Sequence, residues 1–305
     1  MTASATVQLF DRQKRLLGLL HALGGTVGRL DFQKLLLLYC EDHPSVAPYE
    51  FIPYKFGAFS FSSYADRRKL AERGLIEDHD REWRLTRAGA ATAKGLRIDT
   101  KTFAEFASKH RTLRGDALVA NTYRRFPYYA IRSEIADRVL AGDHAALRQI
   151  EDARPTAKGL PLSTIGYEGR TLEGYLNELI RAGVTVLCDV RRNAVSRKYG
   201  FSKSTLARGC EGVGIRYEHV PELGIASEDR RGLTGDADFR ALFADYRHEA
   251  IPKQGPALKR IRDWVANGDR VALTCYERSA ESCHRHCVAE ALVEAGGHRY
   301  QPVNL

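Results

Sequence analysis

The chain has 305 residues, 44% of them hydrophobic and 28% charged, with a formal net charge of +9. This composition excludes wholesale disorder, and no apolar run approaches the roughly 20 residues needed to span a bilayer, so we expect no membrane partner. The positive net charge favours nucleic acid as a partner, although a basic surface that serves only solubility would give the same net charge. Because the first residues lack the regions of a signal peptide, we expect a cytoplasmic protein with reduced cysteines.

Residues 1–98 predict a small helical domain that ends in a hairpin. Apolar spacing predicts helices over residues 12–23, 32–39 and 61–72, followed by short strands at 75–77 and 83–86. This order is typical of a winged helix-turn-helix. We therefore expect the basic residues on and just after the third helix to contact nucleic-acid phosphates, with DNA favoured. These residues are Arg67, Arg68, Lys69 and Arg73. The alternative is that this module makes protein contacts.

One string in this domain resembles a known group of proteins. Phe51-Ile-Pro-Tyr-Lys-Phe-Gly-Ala-Phe-Ser60 is similar to the Tyr-Lys-Tyr-Gly-Pro-Phe-Ser element of SocA-like or Panacea antitoxin-type domains, with Ala58 in place of Pro. The resemblance implies a winged-helix-like fold.

Residues 99–158 predict a helical bridge that ends in a linker. The segment 123–129 interleaves basic and aromatic side chains, which suits either base stacking or a packed helix end. Pro, Gly and small polar residues gather over 152–159, which is typical of a domain boundary.

Residues 159–305 alternate strand and helix. This pattern predicts an α/β domain: a mainly parallel, Rossmann-like sheet with helices on both faces. The predicted strands are 162–165, 184–190, 215–220, 270–275 and 299–303, and the predicted helices are 172–182, 203–212, 238–249, 256–266 and 283–295.

Polar residues follow four of these strands. Because ligands of open α/β sheets lie beyond the carboxyl ends of the strands, we expect these residues to share one rim. They include Tyr167, Asp189 with Arg191, Glu222 and Glu277. Asp189 stands at the end of an apolar strand, where a carboxylate is costly unless it is paired or used. The structural alternative to a functional role is an ion pair between Asp189 and Arg191 or Arg197.

The run from Thr274 to Cys287 holds three cysteines and two histidines. Cys283 at a helix start, beside His284 and Arg285, suits a thiolate nucleophile with Cys275 as a resolving partner. Seven residues separate the two cysteines, which does not match common zinc spacing, so we predict no metal and no cofactor. A packed, inert cysteine is the other interpretation.

Residues 162–305 resemble the family called domain of unknown function 488. Ala194-Val195 stands where the family has Pro before the Ser-Arg pair. The resemblance implies a fold class and a site, but no reaction. The matching strings are Thr164-Ile-Gly-Tyr167, Cys188-Asp-Val-Arg191, Ser196-Arg197, Gly200-Phe-Ser-Lys203, Tyr217-Glu-His-Val-Pro-Glu-Leu-Gly224, Cys275-Tyr-Glu277 and Cys283-His-Arg285.

These observations favour a nucleic-acid-binding hydrolase that cleaves a glycosidic or phosphodiester bond in a nucleotide or modified base. The alternative is a DNA-binding regulator whose α/β domain senses a nucleotide; the sequence leaves a homo-oligomer open. The predicted catalytic residues are Asp189, Glu277 and Cys283. The predicted substrate-binding residues are Tyr167, Arg191, Ser196, Arg197, Glu222, His284 and Arg285.

Overall fold

The structure is a computed structural model that describes residues 8–156 and 159–305. The chain divides into two compact units, Met1–Arg154 and Pro155–Leu305. The predicted bridge therefore belongs to the first unit up to its last few residues. The predicted linker, 152–159, contains the division, and its residues 157 and 158 lie outside the described residues.

The described elements follow in chain order. The helices are α1 Asp11–Ala22, α2 Arg29–Asp42, α3 Phe61–Glu72, α4 Arg87–Gly95, α5 Thr100–Lys109, α6 Gly115–Arg125, α7 Ala136–Val139, α8 His144–Asp152, α9 Leu172–Arg181, α10 Lys203–Gly212, α11 Asp236–Asp245, α12 Gly255–Ala266 and α13 Arg285–Gly296. The strands are β1 Thr26–Gly28, β2 Ile52–Tyr54, β3 Gly57–Phe59, β4 Ile76–His79, β5 Glu82–Leu85, β6 Leu162–Gly166, β7 Val186–Asp189, β8 Arg216–His219, β9 Val271–Cys275 and β10 Val303–Asn304.

The first unit packs its helices around α2. This helix is buried without interruption from Phe32 to Cys40, because its run of leucines is apolar on every side. Its Phe32 ring lies 4.7 Å from the ring of Trp83 on β5. The strands β1, β5 and β4 form an antiparallel sheet in that order.

The order α1, β1, α2, α3, β4, β5 agrees with the helices and hairpin expected from the sequence, and the winged-helix interpretation stays a prediction. Two features were missed. Strand β1 has only three residues, too few for a periodic signal. The hairpin of β2 and β3 lies between α2 and α3, where Gly57, with φ +85°, allows the tight turn and Pro53 weakens the strand pattern.

The second unit contains a five-stranded sheet in the order β10-β6-β9-β7-β8. Every pair in it is parallel, which confirms the predicted parallel sheet. The chain moves in one direction from β6 to β8 and then turns back through β9 to β10. Right-handed crossovers then place α9 and α10 on one face and α11 to α13 on the other.

Side-chain alternation in β7 agrees with this division. Val186 and Cys188 belong to the apolar core that also contains residues of α12 and α13. Leu187 and Asp189 point the opposite way by the two-residue period of a strand. On that opposite face, Tyr175 of α9 donates a hydrogen bond to Thr274 of β9 at 2.7 Å.

Several predicted boundaries in this unit shift. The helix predicted over 238–249 ends at Asp245 and continues as a π-helical turn, Tyr246–Ala250. The helix predicted from residue 283 begins at Arg285. The last strand begins at Val303, after a 3-10 turn at Gly297–Tyr300. Among the described residues, no helix has both the length and the apolar character needed to cross a bilayer.

Candidate functional site

The parallel strands bring their carboxyl ends to one edge of the second unit's sheet. Asp189, the last residue of β7, lies in register beside Thr274 of β9 and His219 of β8. Gly166 ends β6 beside Cys275, the last residue of β9. The polar residues that follow these strands form two clusters at this edge.

The first cluster is built around Asp189, whose side chain is 0% exposed. Its Oδ1 accepts hydrogen bonds from the backbone N–H of Arg191 at 3.1 Å and from Nε at 2.8 Å. Its Oδ2 accepts from Nη2 of Arg191 at 2.5 Å and from the Tyr217 hydroxyl at 2.6 Å. Two donors to each oxygen leave this carboxylate saturated. We call this group the aspartate cluster.

Arg191 is equally engaged. Its Nη1 donates to the Tyr167 hydroxyl at 3.0 Å and to the Phe201 carbonyl at 2.9 Å. Burial alone lowers the pKa of Arg191, but the hydrogen bonds and charge of Asp189 hold that pKa above its ordinary value. The Tyr167 ring stacks on Phe201 with centroids 4.4 Å apart. The ion pair that the sequence left as the structural alternative is therefore present.

The second cluster forms around His284 at the start of α13. Its Nε2 lies 3.0 Å from the Val190 carbonyl, which can only accept, and its Nδ1 lies 3.0 Å from Nη2 of Arg230, which can only donate. The ring therefore carries its proton on Nε2. The Sγ atoms of Cys275 and Cys283 lie 3.7 Å and 3.9 Å from Nδ1. We call Cys275, Glu277, Cys283, His284 and Arg230 the thiol cluster.

The two thiols differ in protonation. Burial opposes ionisation of Cys283, but the neighbouring Cys275 thiol and the charge of Arg285 hold its pKa well below the ordinary value. The neighbouring Cys283 and burial raise the pKa of Cys275 well above its ordinary value. Cys283 is thus the thiol of the pair that ionises first, and the Cys275 thiol donates to Oε2 of Glu277 at 3.5 Å.

Glu277 closes the cluster on its solvent side. Its Oε2 lies 3.5 Å from the Cys275 Sγ, and its Oε1 lies 3.7 Å from Nη1 of Arg230. Its side chain is 27% exposed. Burial and the charge of Cys283 raise the pKa of Glu277 above its ordinary value. A carboxyl group of this kind can hold a proton and release it.

Arg285 shapes the loop between β9 and α13. Its Nη1 donates to the Glu277 carbonyl at 2.5 Å and its Nη2 to the Arg278 carbonyl at 2.9 Å. The loop also needs Gly166, because a Cβ there would overlap the Glu277 carbonyl group. Arg285 therefore acts through the loop, with its guanidinium directed to backbone oxygens.

The other predicted substrate-binding residues, Ser196, Arg197 and Glu222, are not among the residues that form the two clusters. Ser196 accepts from the Lys198 backbone N–H at 3.1 Å. Arg197 is exposed in the same loop. Glu222 is 3.7 Å from Arg260, and both side chains are about half exposed. Their roles in binding stay predictions.

The basic residues predicted on α3 lie in the first unit. Arg68 and Lys69 are exposed on the helix, opposite its buried face. Arg67 is half-buried, with its guanidinium 6.0 Å from the ring centre of Trp83. Arg73 donates a hydrogen bond to the backbone carbonyl of Gln8 at 2.9 Å. Arg68 and Lys69 are thus the best placed of the four to meet a phosphate.

Sequence reasoning missed two members of the clusters. Arg230 lies in the long loop between β8 and α11, where no periodic or motif signal marks it. Tyr217 stands inside a string that resembles the family, and it is two residues from His219, the register partner of Asp189. Because residues two apart in a strand share a face, that spacing was a usable signal.

Among the residues that the structure describes, two groups of side chains could hold a metal ion. Cys275, Cys283 and His284 place their ligand atoms within 4.8 Å of one another, as do three residues on α13, His286, Cys287 and Glu290. In the first group, however, Arg230 donates to the Nδ1 lone pair that a metal would need. In the first group, Nδ1 of His284 is therefore already engaged by Arg230.

The chain was compared with known proteins. Residues 171–292 match the sequence model of the family described as Domain of unknown function DUF488. The match runs from the residue before α9 into α13 and so includes Asp189 and the whole thiol cluster. No curated protein and no solved structure matches the chain. The second unit therefore contains a domain of the DUF488 family.

Proposed function

We propose that the second unit is a hydrolase that acts on a nucleotide or nucleic-acid component, with the Cys283 thiolate as its nucleophile. The observation that carries this proposal is the thiol cluster, in which the buried Cys283 sulfur lies 3.9 Å from the His284 imidazole and its pKa is held well below the ordinary value. The thiolate is the reactive form of cysteine, and such positions are typical of catalytic thiols.

The cluster also contains the groups that a two-step displacement needs. The Cys283 sulfur attacks the phosphorus or the anomeric carbon, and the bond to the leaving atom breaks, an oxygen in the first case and the nitrogen of the base in the second. Glu277, whose raised pKa favours the protonated form, gives its proton to that leaving atom. Water then attacks the sulfur-bound intermediate and gives a proton to the Glu277 carboxylate. The Cys283 thiolate leaves, and the site is restored.

Asp189 is less suited to the nucleophilic role. Its four hydrogen bonds occupy the lone pairs that would attack, and its side chain is 0% exposed. The regulator hypothesis has similar difficulty, because Arg191 and Arg285, the residues a nucleotide sensor would use, are both directed to protein acceptors.

Charge supports a phosphorylated substrate. Arg192, Arg197 and Arg278 are exposed on loops that follow β7 and β9, at the same edge as the thiol cluster. Arginines of this kind bind phosphate oxygens through paired N–H donors. The net charge of +9 adds a long-range attraction for polyanions.

Access to Cys283 requires a movement. Its side chain is 1% exposed, and Arg230 lies over the cluster through its bonds to His284 and Glu277. Arg230 belongs to the loop between β8 and α11, whose residues 227–229 are exposed. We infer that a phosphate draws Arg230 outward, which both binds the substrate and uncovers the thiolate.

We propose that the first unit binds nucleic acid, with DNA favoured, as a winged helix-turn-helix. The element order and the exposed Arg68 and Lys69 on α3 support this. Changing both residues to Glu should weaken binding of all sequences alike and reduce the salt slope by about 1 for each phosphate that is no longer neutralised. An unchanged affinity and slope, with Lys101→Glu as the exposed control, would exclude this surface.

Turnover by Cys283→Ser tests the enzymatic proposal. Wild type is assayed on nitrophenyl phosphate esters, nucleotides and oligonucleotides with modified bases, with products identified by mass spectrometry. We expect Cys283→Ser to lower turnover roughly a thousandfold or more, as loss of a nucleophile does. Cys188→Ser is the matched control, since Cys188 is buried and burial raises its pKa. Turnover retained in Cys283→Ser would assign the chemistry to another group.

A further inference from the structure

The first unit contains a cavity of about 760 Å³, separate in sequence from every residue of the thiol cluster. Its volume lies in the usual range of small-molecule sites. Four aromatic side chains line it: Tyr54, Phe56, Phe59 and Tyr64. The ring of Phe59 lies 4.8 Å from Tyr54 and 4.9 Å from Tyr64, so these three rings pack against one another and form an aromatic wall.

Lys34 lines the same cavity, and it is an unusual residue to find there. Its side chain comes from the middle of α2, and the residue is 1% exposed. Within the described part of the chain, Nζ has one hydrogen-bond partner, the Ala58 carbonyl at 2.9 Å. An ammonium group has three donors, so two are left without a protein acceptor. A buried cation without a carboxylate is costly unless something else pairs with it.

The surroundings of Nζ fit a ligand group. Gly57 lies beside it, and a Cβ at that position would come within 3.2 Å of Nζ. Glycine at this position thus leaves room for the Lys34 amine and for the Tyr123 ring, which a Cβ would overlap. Among the described residues that line the cavity, Asp31 is the one with a carboxylate side chain. Its Oδ1 accepts a hydrogen bond from the Gly115 backbone N–H at 3.0 Å. Arg81, which is exposed, adds positive charge to the lining.

We propose that this cavity binds a small planar aromatic molecule that carries one anionic group, with the ring between the aromatic walls and the anion on Lys34. The walls select the ring through stacking, and the amine supplies charge-assisted hydrogen bonds. Burial lowers the pKa of Lys34 to about 7, so an anion would restore the charged form that burial disfavours. The site does not depend on the proposed hydrolase.

Two fluorescent probes test the proposal on the full chain. Anilinonaphthalene sulfonate has the ring system and an anion, and phenylnaphthylamine has the rings alone. We expect the sulfonate to bind wild type, and Lys34→Met to weaken it about tenfold or more while phenylnaphthylamine binds both proteins alike. Lys101→Met is the control, because the Lys101 side chain is 90% exposed.

Each other outcome counts against the proposal. Equal sulfonate affinity in wild type and Lys34→Met would remove the amine from the site, and failure of wild type to bind either probe would remove the site itself. If Lys34→Met does not fold, a crystal structure of wild type soaked with the sulfonate decides: the sulfonate beside Nζ supports the proposal, and its absence from the cavity at saturation overturns it.

Discussion

The aspartate cluster and the thiol cluster share one sheet edge but lie on opposite faces of it. Asp189 is in register with Thr274, whose hydroxyl accepts from α9, whereas Cys275, one residue on, meets His284 at the start of α13. Both clusters bury charge. They differ in what that charge is free to do, since Asp189 is saturated by donors and Cys283 keeps sulfur lone pairs uncommitted.

Their construction explains this difference. The partners of Asp189 are Arg191, two residues after the end of its strand, and Tyr217 on the neighbouring strand β8, so both are held close to the sheet. The thiol cluster is assembled from a strand end, a helix start and a loop. A loop residue such as Arg230 can leave, whereas a strand residue cannot without disrupting the sheet. The face with the aspartate cluster is therefore framework, and the other face carries the chemistry that we propose.

The largest expected effect falls on the aspartate cluster. Asp189→Asn leaves Arg191 buried without its counter-ion, and we expect the free energy of unfolding to fall by about 3–5 kcal/mol. Denaturant unfolding measures it. Asp263→Asn is the control, because the Asp263 pair with Lys259 is more than half exposed on both sides. A change as small as the control's would mean that Asp189 is held for function and not for folding.

A double variant sharpens this result. When Asp189→Leu is combined with Arg191→Met, both charges are removed together, and the fall in unfolding free energy should be smaller than for Asp189→Asn alone. A double variant in which the two single effects simply add would contradict the pairing.

The next effect concerns Glu277. We expect Glu277→Gln to lower turnover about a hundredfold while the free energy of unfolding changes little, because it removes a proton donor from a partly exposed position. Glu281→Gln, an exposed change in the same loop, is the control. Steady-state kinetics on the substrate class that wild type accepts gives the answer. Equal rates in both variants would leave the thiol cluster without its acid.

Particular residues show how far the sequence reaches. The bounds of α3 and α10 agree with prediction residue for residue, since their apolar spacing and flanking turns are local signals. The Asp189–Arg191 pair could be anticipated because residues spaced two apart at a strand end point to the same face. The sequence predicted one shared site. The two-residue period of a strand, with Asp189 in register beside Thr274, instead puts Asp189 and Cys275 on opposite faces of the sheet. Register between strands distant in the chain decides that, and a single sequence does not contain it.

The smallest effect is a dependence of stability on pH. The pKa of Cys283 is lowered in the folded protein, so between that pKa and its ordinary value the unfolded chain binds the extra proton. The thiolate therefore stabilises the fold above the ordinary thiol pKa, and this contribution is lost as pH falls through the folded pKa. The difference in unfolding free energy between wild type and Cys283→Ser should grow with pH across that window. Thiolate absorbance, followed in the same titration, should persist below the ordinary thiol range in wild type and vanish in the variant. A difference that stays flat, with no such absorbance, would make Cys283 a packed thiol and remove the contrast between the two faces.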